Sequence, residues 1–195
     1  MTGRRAETME ANRARLLAAA RTAFAAHGFA GASMDELTAA AGLTRGALYH
    51  GFGDKKGLLA AVVAQVDGEM AARARAASAD AGDDWQALLA EAAAYIEMAL
   101  DPEVRRIVLL DGPAVLGDPS RWPSQNACLA ETRATVARLV AAGTMRPVDV
   151  EAAARLLSGA ALNAALWVAA SDAPATALPR ALDAFALMAD GLRAR

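Results

Sequence analysis

Residues 33–59, SMDELTAAAGLTRGALYHGFGDKKGLL, read as a short helix, a glycine turn, a second short helix and the capped start of a third. Ser33 and Glu36 have the spacing of a capping box, in which the hydroxyl takes an orphan N–H and the carboxylate reaches back to the cap. Met34, Leu37, Ala40 and Ala41 then recur at helical spacing on one face. Gly42 stops this helix, because a left-handed residue costs glycine nothing. Leu43 packs the turn, and Thr44 caps the next helix, Arg45 to His50. A turn this tight sets two helices at a steep angle, which is helix-turn-helix geometry. Asp54 caps a longer helix that carries Leu58, Leu59, Val62, Val63, Val66 and Met70.

Short capped helices joined by glycine occur in many all-α proteins. The second helix is more telling, because Arg45, Tyr49 and His50 crowd into it and Lys55 and Lys56 follow. A helix built only for a core does not gather so many donors beside Gly46, whose missing side chain allows close approach to a backbone. One exposed helix for the major groove, braced by another, is what a reader of DNA needs.

From about Arg15 to Val63 the chain resembles the N-terminal domain of the TetR family of bacterial transcriptional regulators. Phe24, His27-Gly28-Phe29, Ser33-Met34, Ala41-Gly42-Leu43-Thr44, Gly46-Ala47-Leu48-Tyr49, Phe52, Lys55 and Leu58-Leu59 carry that resemblance. It covers roughly the first third; the remainder is similar in length, helical content and helix order. Members commonly carry His just before the Phe, where this chain has Gly51. The phosphate contact that the resemblance implies for that histidine is either missing here or taken over by His50.

The rest of the composition agrees. The chain has 195 residues, enough to bury a real core, and is Ala-rich with few aromatics, so helix is expected almost throughout. Net charge is −2, which argues against a generally basic coat. The distribution is uneven: residues 1–60 hold eight Lys/Arg against five Asp/Glu, and residues 61–195 hold twelve against seventeen. A basic head on an acidic body fits phosphate binding at one end. Met1 to Arg15 is polar and unlike a signal peptide. The longest apolar stretch, Leu156 to Ala170, is broken by Ser158 and Asn163, short of the ~18 uninterrupted residues a membrane span requires. The single cysteine, Cys128, has no internal partner for a disulfide. No membrane association and a cytoplasmic location are the expectation.

The expected fold is all-α with about nine helices. Helix one runs from about Glu10 to His27, with Leu16, Leu17, Ala20 and Phe24 inward, and helix four reaches about Ala77. The polar run 78–84 separates a helix-turn-helix DNA-binding domain, 1–60 with helix four continuing to about 77, from a helical effector-binding and dimerisation domain, 78–195. Trp85, Leu88, Leu89, Ala92, Ile96 and Leu100 mark the face of helix five. Asp101-Pro102 opens a sixth helix, interrupted by Asp111-Gly112-Pro113. Helix seven spans about Trp122–Ala142, helix eight begins after Asp149 and reaches about Ala170, and helix nine spans about Thr176–Leu192.

Helix eight is apolar on most sides and must be covered on most sides. A symmetric homodimer is expected, with helices eight and nine of each subunit in a four-helix bundle. Leu157, Ala161, Ala164, Leu166, Phe185 and Met188 are the interface candidates. Two heads related by a two-fold axis call for successive major grooves, about 34–36 Å apart, and a near-palindromic double-stranded DNA operator.

On the head, Arg45 is the choice for a guanine edge, whose two acceptors match its fork. Ser33 and Thr44 hold phosphates or serve only as caps. Tyr49 reaches a phosphate or a thymine methyl, Gly46 allows close approach, and His50 and Lys55 fix register on the backbone. The family resemblance implies a small-molecule effector that spreads the two heads, and it leans to repression. Met98, Leu109, Trp122, Asn163 and Trp167 are candidates for an apolar lining with one amide, suited to an apolar or aromatic molecule.

Two histidines, His27 and His50, and a distant Cys128 form no defensible catalytic set or zinc site, and no phosphate loop follows a strand. No enzyme activity, metal or cofactor is expected. The rival reading is a dimeric ligand- or partner-binding module of the same fold with weak DNA binding, favoured slightly by Gly51 and the acidic total.

Overall fold

The computed structural model describes residues 2–194, with side chains from 6 to 194. Nine helices follow one another among the described residues: α1 Thr2–Gly31, α2 Met34–Ala41, α3 Arg45–Phe52, α4 Lys55–Ser78, α5 Asp84–Glu97, a composite α6, α7 Pro123–Ala141, α8 Val150–Ala170 and α9 Pro174–Asp190. α6 joins Pro102–Val104, Arg105–Asp111 and Gly112–Leu116 end to end.

The local causes are those of helix capping. Ser33 and Glu36 close their box in both directions, at 3.1 and 3.2 Å. Thr44, Asp54, Asp83 and Asp149 each accept a backbone N–H at the start of α3, α4, α5 and α8. Gly42, at φ 61, ends α2 and donates back to its last turn. Gly28, at φ 71, turns α1 off its axis after His27, so the principal helix ends where expected, although it starts nearer the terminus than Glu10.

Several expectations need correction. On α2, Thr38 is buried and Ala40 exposed; the Thr38 hydroxyl donates to the carbonyls of Met34 and Asp35, so the polar side chain satisfies itself within its own helix. α5 stops at Glu97, and a tight turn over Met98–Leu100 rotates Met98 and Ala99 inward and Leu100 out to 41% exposure. Asp111-Gly112-Pro113 does not interrupt α6. The turn before it widens, with Gly112 N–H donating to the Ile107 carbonyl, five residues back. Pro113 has no N–H and needs room around the carbonyl four residues before it; a widened π turn supplies that room without ending the helix. Gly112 is needed for another reason, since a Cβ there would lie 2.7 Å from the Trp122 ring.

A continuous core runs the length of the molecule, from Leu16, Phe24, Leu37 and Leu48 through Leu58, Val62 and Met70 to Ile96, Ile107, Leu139 and Ala165. α4 is the connector. It packs on α1 and α3 of the head and on α5, α6 and α7 of the body. Polar links reinforce this junction. The Arg21 guanidinium forks onto Glu69 of α4 and Glu103 of α6 at 2.7–2.8 Å, and the Phe29 N–H donates to Asp111 at 2.6 Å.

α8 is long and apolar enough to cross a membrane by length and composition. In the fold it packs against α5, α6, α7 and α9. Ala154, Leu157, Ala161, Ala165 and Val168 are buried there, while Leu156 is 72% exposed.

Candidate DNA interface and ligand cavity

Leu48, with no exposure, anchors α3 to the head. Around that anchor, Thr44, Arg45, Gly46, Tyr49 and His50 are all exposed, so the helix offers one polar side to solvent. Ser33, at the start of α2, is exposed as well. The Ser33 and Thr44 hydroxyls accept the N–H groups of Glu36 and Ala47, which makes both of them helix caps; each keeps its own O–H proton to donate.

Arg45 is engaged in a way its position in the sequence does not foretell. Its guanidinium forks onto Asp35 of α2, with Nε donating at 2.6 Å. That pairing holds the Asp35 carboxyl below the usual carboxylate range. The fork lies on the exposed side with a carboxylate as its present partner. Lys55, half-buried, lays its ammonium over the Phe29 ring, 4.5 Å from the centroid. Gly51 carries its own link, since its carbonyl accepts from Arg13 Nη1 at 2.6 Å while the Arg13 guanidinium stacks on Phe52 at 4.3 Å. Arg13 and Arg15 are cations of the head that sequence reasoning passed over; the signal was two arginines two positions apart on the first helix.

The body holds a cavity of about 70 Å³ between α4, α5, α7, α8 and α9. A water needs about 10–15 Å³ by the same measure, so the space takes a molecule of a few heavy atoms before any movement. Ala71, Ala74, Leu88, Ala92, Leu157, Ala161 and Phe185 supply the apolar wall, and Glu91, Tyr95, Gln125, Cys128, Thr132 and Ser158 the polar one. Burial pushes the Cys128 thiol up to about 11, so it is a neutral wall group rather than a nucleophile.

The candidates for that lining lie elsewhere. Met98 and Leu109 are buried in the core, Asn163 and Trp167 point outward from α8, and Trp122 covers Gly112. The interface candidates divide similarly. Leu157, Ala161 and Phe185 are buried and line the cavity, Ala164 and Leu166 are half-buried, and Met188 is 46% exposed. α8 is apolar on most sides, so its pattern alone does not say which side faces inward. The outward stripe is Leu156, Gly159, Asn163 and Trp167, beside Ala184, Leu187 and Met188 on α9. Arg180 of α9 lies over the Trp167 ring at 5.6 Å and joins the two helices.

A helix-turn-helix head with an exposed polar helix, on an all-α body, is the architecture of a DNA-binding regulator. Residues 16–62 match the family model for bacterial regulatory proteins of the tetR family, and residues 85–192 match the tetracyclin repressor-like C-terminal domain. A TetR-family transcriptional regulator from Pectobacterium atrosepticum is similar over the whole length. It shares 46% identity, 97% of each chain is covered, and the TM-score is 0.89. The chain belongs to the TetR family of transcriptional regulators. The head is also 42% identical over 60 residues to the HTH-type transcriptional repressor AcnR of Corynebacterium glutamicum; that match spans 31% of this chain and 32% of AcnR. RolR, described in complex with resorcinol, shares the fold at 19% identity, with a TM-score of 0.69 and 97% and 96% of the two chains covered.

Proposed function

We propose that the chain is a homodimeric repressor that grips a near-palindromic operator through α3 and lets go when a small molecule occupies the body cavity. The polar side of α3 carries the reading: five exposed residues, Thr44, Arg45, Gly46, Tyr49 and His50, stand over one fully buried anchor, Leu48. Arg45 reads a base edge after exchanging Asp35 for guanine. Tyr49, His50 and Lys55, with Ser33 and Thr44 at helix starts, hold phosphates. AcnR, whose head is alike, is a repressor by name, which supports the repressive sense.

The division of labour follows residues 1–60 and 78–195, with α4 belonging to both. The outward stripe on α8 and α9 supports the dimer: Leu156 at 72% and Leu187 at 77% exposure are apolar side chains that a second copy would cover. The effector reading rests on α4, whose Ala71 and Ala74 line the cavity while it also packs on α3. A molecule that presses on that wall moves the head. RolR, of like fold, is described in complex with resorcinol, which supports a small-molecule effector.

Fluorescence anisotropy against the promoter-proximal DNA flanking its own gene, with scrambled DNA as competitor, tests this. Competitor-resistant binding that falls steeply with salt is expected, and Arg45→Ala should weaken it and its preference for the operator with the fold intact. Binding no stronger than to scrambled DNA would favour the rival reading, a dimeric binding module of this fold, to which Gly51 lends some weight.

A further inference from the structure

We propose that the body cavity takes a small organic cation, an ammonium group on an apolar or aromatic body; this rests on the effector reading of the body. The observation is an imbalance of charge. Among the lining residues there is one carboxylate, Glu91, and no lysine, arginine or histidine. Glu91 makes no hydrogen bond or ion pair with any described residue. The nearest cation that acts on it, Arg75, is already bound to Glu131 at 2.8 Å. Behind the wall lies a second carboxylate. Asp67 is 1% exposed, and both its oxygens accept only from the neutral amide of Gln125, at 3.3 Å. The same amide reaches the Tyr95 hydroxyl, so Gln125 carries the influence of Asp67 to the cavity surface.

One carboxylate partly and one fully withdrawn from water, neither in an ion pair, are costly unless something positive arrives. An anionic ligand would add to the repulsion. A neutral one would leave the charge desolvated and unpaired. A cation relieves Glu91 directly, while Leu88, Leu157 and Phe185 take the apolar part. Burial, reinforced by the neighbouring Glu131, pushes the Glu91 carboxyl above its ordinary range, the direction expected for an acid that lacks its counter-charge. This refines the sequence-based expectation of an apolar or aromatic effector: the apolar body stays, and a positive head is added.

The test is isothermal titration of the full chain with three probes of one shape: benzylammonium, benzyl alcohol and benzoate. Benzylammonium should bind at least tenfold more tightly than the alcohol, and benzoate should not bind. Glu91→Gln, nearly the same shape without the charge, should bring the amine down to the level of the alcohol. The alcohol or benzoate binding as tightly as the amine would overturn the proposal, and so would failure of the amine to bind. The effector reading is judged separately by Ala161→Trp, which fills the cavity without a ligand. If that variant stays folded by circular dichroism and loses DNA affinity, the cavity controls the head whatever the charge of its natural occupant.

Discussion

Arg45 shows how one ion pair can tune a reading helix. Its fork is held on Asp35 across the turn, and under the proposed function it leaves that carboxylate for guanine, exchanging one two-point partner for another. Arg45→Ala should cost about 1–3 kcal/mol of operator binding, the worth of a good two-point base contact, read as the anisotropy midpoint on operator and scrambled DNA. Asp35→Asn should tighten binding to every duplex, because it removes a negative charge and frees the fork, so the ratio of specific to nonspecific affinity should fall. In the cavity, the Glu91 carboxyl is raised above its unfolded value, so the folded state holds that proton more firmly. Its unfavourable contribution is full at neutral pH and fades as pH falls through the folded value to the unfolded one. Glu91→Gln should therefore raise Tm modestly at pH 7 and not at pH 4, by thermal melts of the ligand-free protein. The exposed row of α3 was legible in the sequence because only a surface helix gathers Arg45, Tyr49 and His50 around one leucine. The Asp35 partner was not, since a contact across ten positions depends on the angle between two helices.

At the level of elements, caps and stops were the readable part. Ser33, Thr44, Asp54 and Asp149 announce their helices by side-chain chemistry that acts within three residues. Gly42→Ala should destabilise the head by about 1–2 kcal/mol, the cost of a side chain in a left-handed conformation, measured by urea denaturation. A Cβ there would lie 2.7 Å from Arg15 Nη2, the far end of a flexible side chain that can move aside, so the backbone conformation carries the cost. The readings of Asp111-Gly112-Pro113 and of Leu100 went wrong for a common reason. Each depends on a change of helical pitch, a π turn in one case and a tight turn in the other, and residue type does not encode pitch.

Across the whole molecule, the layout of a basic head, a connecting helix and an apolar pair of terminal helices was visible in charge and hydropathy. The side that α8 turns inward was not. With Leu156 and Leu157, Ala160 and Ala161, Leu166 and Trp167 adjacent in the chain, most sides are apolar and only packing against α5 and α7 decides. The cavity lining escaped for the same reason, being drawn from five helices. Leu156→Glu with Leu187→Glu should leave the fold intact and yield monomers by sedimentation equilibrium. Because joining two heads raises avidity about 10²–10⁴-fold, operator affinity should fall by that order. The central claim, a two-headed reader of DNA sequence, is met most directly by selecting binders from a random duplex library with the purified protein. The account predicts one enriched inverted repeat with half-site centres about one helical turn apart, and loss of its guanine preference in Arg45→Ala. A library that emerges with no shared motif, or with a single unrepeated half-site, would contradict it.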